Sequence, residues 1–105
     1  MIGIGVRIIS KRTLREFWES EPQYFDAKGP LEAWHEEVLK ADWSNPQELK
    51  AQFRNASAVK NNRVVFNIKG NSYRLVVRIN FDHKIVFVRF IGTHKQYDLI
   101  DVEVI

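Results

Sequence analysis

Apolar residues recur with two different periods along this chain. From residue 13 to 53 they return every three or four positions, the spacing that lines one face of a helix. From residue 63 to 92 they alternate or run together as β-branched stretches, the signature of strands. Before both, "GVRIIS" (5–10) predicts a short leading strand. Thr13-Leu14-Arg15-Glu16 has capping-box spacing, in which a threonine oxygen and a glutamate satisfy free N–H groups at a helix start. Leu14, Phe17 and Trp18 then form one apolar face. Pro22 and "KGP" (28–30) bracket a connection. Pro30 suits the first turn of a second helix, where its missing N–H costs nothing. That helix has Leu31, Trp34, Val38 and Leu39 inward and Glu32, Glu36, Glu37 and Lys40 outward. Asn45 as cap and Pro46 at the first position open a third, with Leu49 and Phe53 facing inward.

After "NASAVKNN" the grammar changes to "RVVFNI" (63–68), "SYRLVVRINF" (72–81) and "KIVFVRFIG" (84–92). The short spacers "KGN" (69–71) and "DH" (82–83) are hairpin turns, so the three strands form an antiparallel meander. The expected fold is α+β: one domain over residues 1–105, a small antiparallel sheet with helices packed on one face. Period-two alternation puts Tyr73, Leu75, Val77, Ile79 and Phe81 on the helix-covered face. Arg74, Val76 and Arg78 fall on the open face, where Arg63, Val65, Asn67 and Lys69 of the preceding strand can join them.

Charge gives that open face a meaning. Residues 1–53 carry seven Lys/Arg against nine Asp/Glu, whereas residues 54–97 carry nine Lys/Arg against the single acid Asp82. The tail that follows is acidic, with Asp98, Asp101 and Glu103. A concentrated basic block meets polyanions, nucleic acid first among them. With no cysteine in 105 residues, disulfides, thiolate catalysis and cysteine-held metals are excluded. The apolar start is too short for a signal-peptide core, and no run approaches the roughly 20 apolar residues of a membrane span. The expectation is a cytoplasmic protein with no membrane association.

The chemistry-bearing residues gather where the last strand ends. "THKQYD" (93–98) places His94, Lys95, Tyr97 and Asp98 within six positions, and Arg89 interrupts the apolar run before them. An arginine in such a run is either paired with a carboxylate or reserved for an anion, and only Asp82 is close in sequence. A surface turn is the plain alternative for His94. For His35, among glutamates on a helix, and His83, in a turn, the plain alternative is preferred. These three histidines lack metal-site spacing, so no metal and no cofactor is expected. "GIG" (3–5) lacks the third glycine and βαβ context of a dinucleotide site. Trp18, Trp34 and Trp43 lie at or beside the helix stripes and are expected in the core. What remains is Arg74, Arg89, His94, Lys95 and Tyr97, with Lys69 and Asn71 at the nearby turn: cations for phosphate, and groups that move protons. That kit suits cleavage of RNA through its own 2′-hydroxyl.

The string "RVVFNIKGNSYRLVVRINFDHKIVFVRFIGTHKQYD" resembles the HigB toxins of bacterial toxin–antitoxin modules, a branch of the RelE-like superfamily. The "VRIIS" opening, "LREFW", "LEAW" and "THxxYD" carry the resemblance over nearly the whole chain. It implies a RelE-like fold and a metal-independent endoribonuclease that cuts mRNA on the ribosome. It also implies a helix-turn-helix antitoxin as partner. The family's motif positions fall on Asn67, Asn71, Arg74, Arg89, His94, Tyr97 and Asp98. By resemblance Arg74 and Arg89 hold the scissile phosphate, His94 transfers protons, and Tyr97 stacks on a base or shares the proton work; Lys95 ranks below His94. Lys69, Asn71, Arg63 and Arg78 are the expected RNA-binding residues. The competing reading is a module that grips RNA or the ribosome without cutting.

Overall fold

A computed structural model describes residues 5–105. The leading residues 1–4, including most of "GIG", lie outside the described residues. The elements are β1 (Arg7–Ile9), α1 (Lys11–Ser20), a 3₁₀ helix (Pro22–Ala27), α2 (Lys28–Leu39), α3 (Pro46–Gln52), β2 (Ser57–Val59), β3 (Arg63–Ile68), β4 (Tyr73–Asn80), β5 (Ile85–Thr93) and α4 (His94–Tyr97). The architecture is α+β. One five-stranded sheet has the order β1-β5-β4-β3-β2; β1 runs parallel to β5 and every other pair is antiparallel.

The meander has the bounds that alternation predicts, to within a residue. Its turns explain themselves: Lys69 and Gly70 have φ of 53° and 63°, the left-handed region that a tight hairpin needs. Asn61 and Asn62 do the same at 63° and 60°, and so close a hairpin that pairs β2 with β3. That extra edge strand was not expected from "NASAVKNN". Asn45 caps α3 by accepting from the Glu48 N–H at 2.9 Å, with Pro46 in the first turn, as expected. Asn45→Ala is expected to lower stability by about 1 kcal/mol, read as a shift in thermal melting.

Three expectations fail on local grounds. Thr13 does not start α1; Ser10 occupies the N-cap, and Arg12 pairs with Glu16 at 2.9 Å instead. The connection from Pro22 is a 3₁₀ helix, and "KGP" lies inside α2. Leu39, assigned to the α2 stripe, is exposed because the buried positions are Leu31, Trp34 and Val38.

Those three join Leu14, Trp18 and Leu49 over the inner face of the sheet, formed by Val64, Phe66, Tyr73, Leu75, Val77, Ile79 and Val86. Each tryptophan is only 4% exposed, which excludes all three as base-stacking platforms. Among the described residues no helix is long and apolar enough to cross a membrane.

Candidate active site

The outer face of the sheet carries three cross-strand rows. Asn67, Arg74 and Gly92 lie side by side on β3, β4 and β5; Val65, Val76 and Phe90 form the next row, and Arg63, Arg78 and Phe87 the third. The β4–β5 pairing skips Arg89: Val77 faces Val88 and Val76 faces Phe90. This bulge explains how an arginine interrupts an apolar strand. The extra residue stays exposed, with no ion-pair partner among the described residues.

Arg74 sits in the middle of the first row. Gly92 opposite it has no side chain, and a Cβ there would come within 2.6 Å of both the Gln96 Oε1 and the Phe90 ring. Sequence reasoning missed Gly92; a glycine inside the run "FVRFIGT" was the available signal. Immediately after it, Thr93 accepts from the Gln96 N–H at 3.2 Å, and the Gln96 Oε1 accepts from the Thr93 N–H at 2.8 Å. This capping box turns the chain sharply into α4. The turn brings Tyr97 over Arg74, with the guanidinium carbon 4.7 Å from the ring centroid. Phe90 flanks the same ring at 6.5 Å. Arg74 Nε is enclosed with no hydrogen-bond partner among the described residues, while the group makes a cation–π contact with the ring.

His94 opens α4, and its Nδ1 lies 3.3 Å from Asp98 Oδ2 one turn on. That leaves Nε2 as the nitrogen available to a ligand. Lys95 is exposed on the same turn. The structure therefore brings Arg74, Tyr97, His94 and Asp98 to one strand end, with the exposed Arg89 on the same strand as Gly92. The convergent groups are cations, an imidazole and a phenol: phosphate binders and proton carriers. Among the described residues no three His, Cys, Asp or Glu side chains cluster as metal ligands.

The remaining expected RNA contacts divide. Arg78 is exposed and has no partner among the described residues. Asn71 lines a polar hollow with Asn55, Asn67 and Gly70, next in register to Arg74. Arg63 is taken up by backbone oxygens, donating to the Ile105 carbonyl through Nε and Nη2 at 3.2 and 2.5 Å. Lys69 is committed to Asp26, 2.5 Å away, which also accepts from the Tyr73 hydroxyl. This network ties the β3–β4 turn to the 3₁₀ helix rather than aiming at Arg74.

The same network sets a pH dependence. The Lys69 hydrogen bond, then that of Tyr73, holds the Asp26 carboxyl below its ordinary 3.8. Burial, then the Asp26 contact, pushes the Tyr73 hydroxyl up to about 12. A lowered carboxyl stabilises the fold above 3.8, and that contribution is lost as pH falls through the lower folded value. A raised phenol stabilises it below 10.0, and that is lost as pH rises through about 12. Asp26→Asn is expected to flatten the acid limb of a melting-temperature profile while leaving the wild type more stable near neutrality.

A small basic α+β protein with helices on one face of a five-stranded, mostly antiparallel sheet is consistent with the RelE-like fold. The profile of the HigB toxin family, described as the RelE-like toxic component of a toxin–antitoxin system, matches residues 27–100. The mRNA interferase toxin HigB of Escherichia coli (strain K12) is 30% identical over 95 residues, which span 89% of this chain and 88% of the relative. The mRNA interferase HigB of Escherichia coli O6:H1 (strain CFT073) is 33% identical over 89% of both chains. The chain belongs to the HigB toxin family.

Proposed function

We propose that the protein is an mRNA interferase: the toxin of a toxin–antitoxin pair, an endoribonuclease that cuts mRNA on the ribosome without a metal ion. The observation that carries this reading is the Arg74 guanidinium on β4, held beneath Tyr97 with its Nε unpartnered among the described residues, beside the end of β5 that leads into His94. The names of the relatives, mRNA interferases, support it.

In the proposed reaction the 2′-oxygen loses its proton to a base and bonds to the adjacent phosphorus. The bond from phosphorus to the 5′-oxygen breaks, and an acid protonates that leaving oxygen. Products are a 2′,3′-cyclic phosphate and a 5′-hydroxyl, with no net redox change. Arg74 and Arg89 neutralise the charge that builds on the non-bridging oxygens. His94, oriented by Asp98, transfers a proton through Nε2. Tyr97 holds the Arg74 plane and offers a phenol to a base or to the leaving group. Lys95 adds positive charge on the same turn, and Arg78 and Asn71 hold flanking nucleotides. The partner that restrains this activity is a helix-turn-helix antitoxin.

The second reading, an RNA- or ribosome-binding module that does not cut, shares the cations but has no use for the His94–Asp98 pair. Primer extension on mRNA from a reconstituted translation reaction separates the two. Discrete cuts that appear with the protein are expected; binding to RNA or ribosomes without any cut would favour the module.

A further inference from the structure

Beyond the single turn of α4, no helix among the described residues covers the outer face of the sheet, yet it is not open. Val76 is fully buried and Val65 is 5% exposed, although neither belongs to the core beneath the helices. The chain itself covers them. At one end Tyr97 rests on Arg74; at the other, Asn61 donates to the Glu103 carbonyl at 3.1 Å and Arg63 holds that of Ile105. Residues 98–105 thus run from the end of β5 back to the start of β3, with Ile100, Val102 and Ile105 half-buried. Leu99 and Val104 point outward, 87% and 69% exposed.

We propose that the face beneath residues 99–105 is a second stretch of the single-stranded RNA track, and that this tail is its built-in, displaceable occupant. The inference rests on the RNA-cleaving reading above. Arg63 and Arg78 are direct cross-strand partners, an arrangement of like charges that is unfavourable unless oxygens sit between them. At Arg63 an oxygen of Ile105 now takes up the guanidinium. A phosphodiester offers the same fork two non-bridging oxygens that a planar guanidinium grips at once, where Ile105 presents one oxygen to both nitrogens. Phe87 beside Arg78 and Phe90 beside Val76 supply ring faces on which bases stack without sequence preference. Four residues along β4 separate Arg74 from Arg78, about 13 Å at strand rise, so they engage different phosphates. The tail matches the ligand in sign, carrying Asp98, Asp101 and Glu103 against a face whose charges are arginines. It is tethered chiefly by backbone oxygens; Asp101 accepts from the Glu103 N–H at 3.1 Å, and neither acid forms an ion pair among the described residues.

The test measures binding of a fluorescent 2′-O-methyl oligoribonucleotide, which lacks the attacking hydroxyl, by anisotropy across a salt series. A chain ending at Asp98 is expected to bind about tenfold tighter than the full chain, with a salt slope steeper by about one to two. Arg63→Ala is expected to cancel that gain in the short chain. Removing the tail bares Val65 and Val76, so the full-length double variant Asp101→Asn/Glu103→Gln is measured beside it. There about threefold tighter binding is expected. Unchanged affinity and salt slope in the double variant, with wild-type binding and cutting intact, would overturn the tail's role and leave the cleavage reading standing. Absence of both binding and cutting in the wild type would overturn the two together.

Discussion

Replacing His94 by alanine is expected to slow RNA cleavage by about 10²- to 10⁴-fold, the range for loss of a positioned proton-transfer group. Folding should hardly notice. The His94 side chain is half exposed, its contact with Asp98 is a surface pair, and the capping of α4 rests on Thr93 and Gln96 instead. A change in stability within about 0.5 kcal/mol is expected from thermal melting. Single-turnover rates on a fixed RNA concentration read the effect directly. Cutting at the wild-type rate by the variant would move the proton chemistry to Tyr97 or Lys95.

Arg74→Ala is expected to cost about 10²- to 10³-fold in kcat through loss of charge stabilisation on the phosphorane, with weaker RNA binding in addition. The companion Arg74→Lys separates charge from shape. Lysine keeps the cation but lacks the planar fork that lies beneath Tyr97 and grips two phosphate oxygens at once. It is expected to recover binding better than rate. Both variants are read by the split between KM and kcat. An Arg74→Ala protein that cuts at the wild-type rate would remove the phosphate role from this residue.

How far these roles were legible in the sequence depended on distance along the chain. The meander from Arg63 to Thr93 could be read because alternation and turn residues are local. His94, Tyr97 and Asp98 stand within one helical turn, so their gathering was visible as well. That Arg74 completes the group was readable only as far as the face on which it lies. The contact with Tyr97 needs the Thr93–Gln96 capping box to turn the chain, and Gly92 leaves the room that Gln96 and Phe90 take up there. β1 could be guessed as a strand but not as the parallel neighbour of β5, because a three-residue strand says nothing about its partner. Lys69 and Arg63 looked like free cations for the same reason. Their partners, Asp26 and the Ile105 carbonyl, lie 43 and 42 residues away. Such pairings depend on the folded chain and leave no local pattern.

Mass spectrometry of the RNA ends left at a cut site, with a matched RNA carrying one 2′-deoxynucleotide at that site, tests attack by the 2′-hydroxyl most directly. A 2′,3′-cyclic phosphate and a 5′-hydroxyl are expected on the ribose substrate, and no cut at the deoxy position. A 5′-phosphate with a free 3′-hydroxyl, or equal cutting of the deoxy-substituted RNA, would contradict attack by the 2′-hydroxyl and the roles assigned to Arg74 and His94.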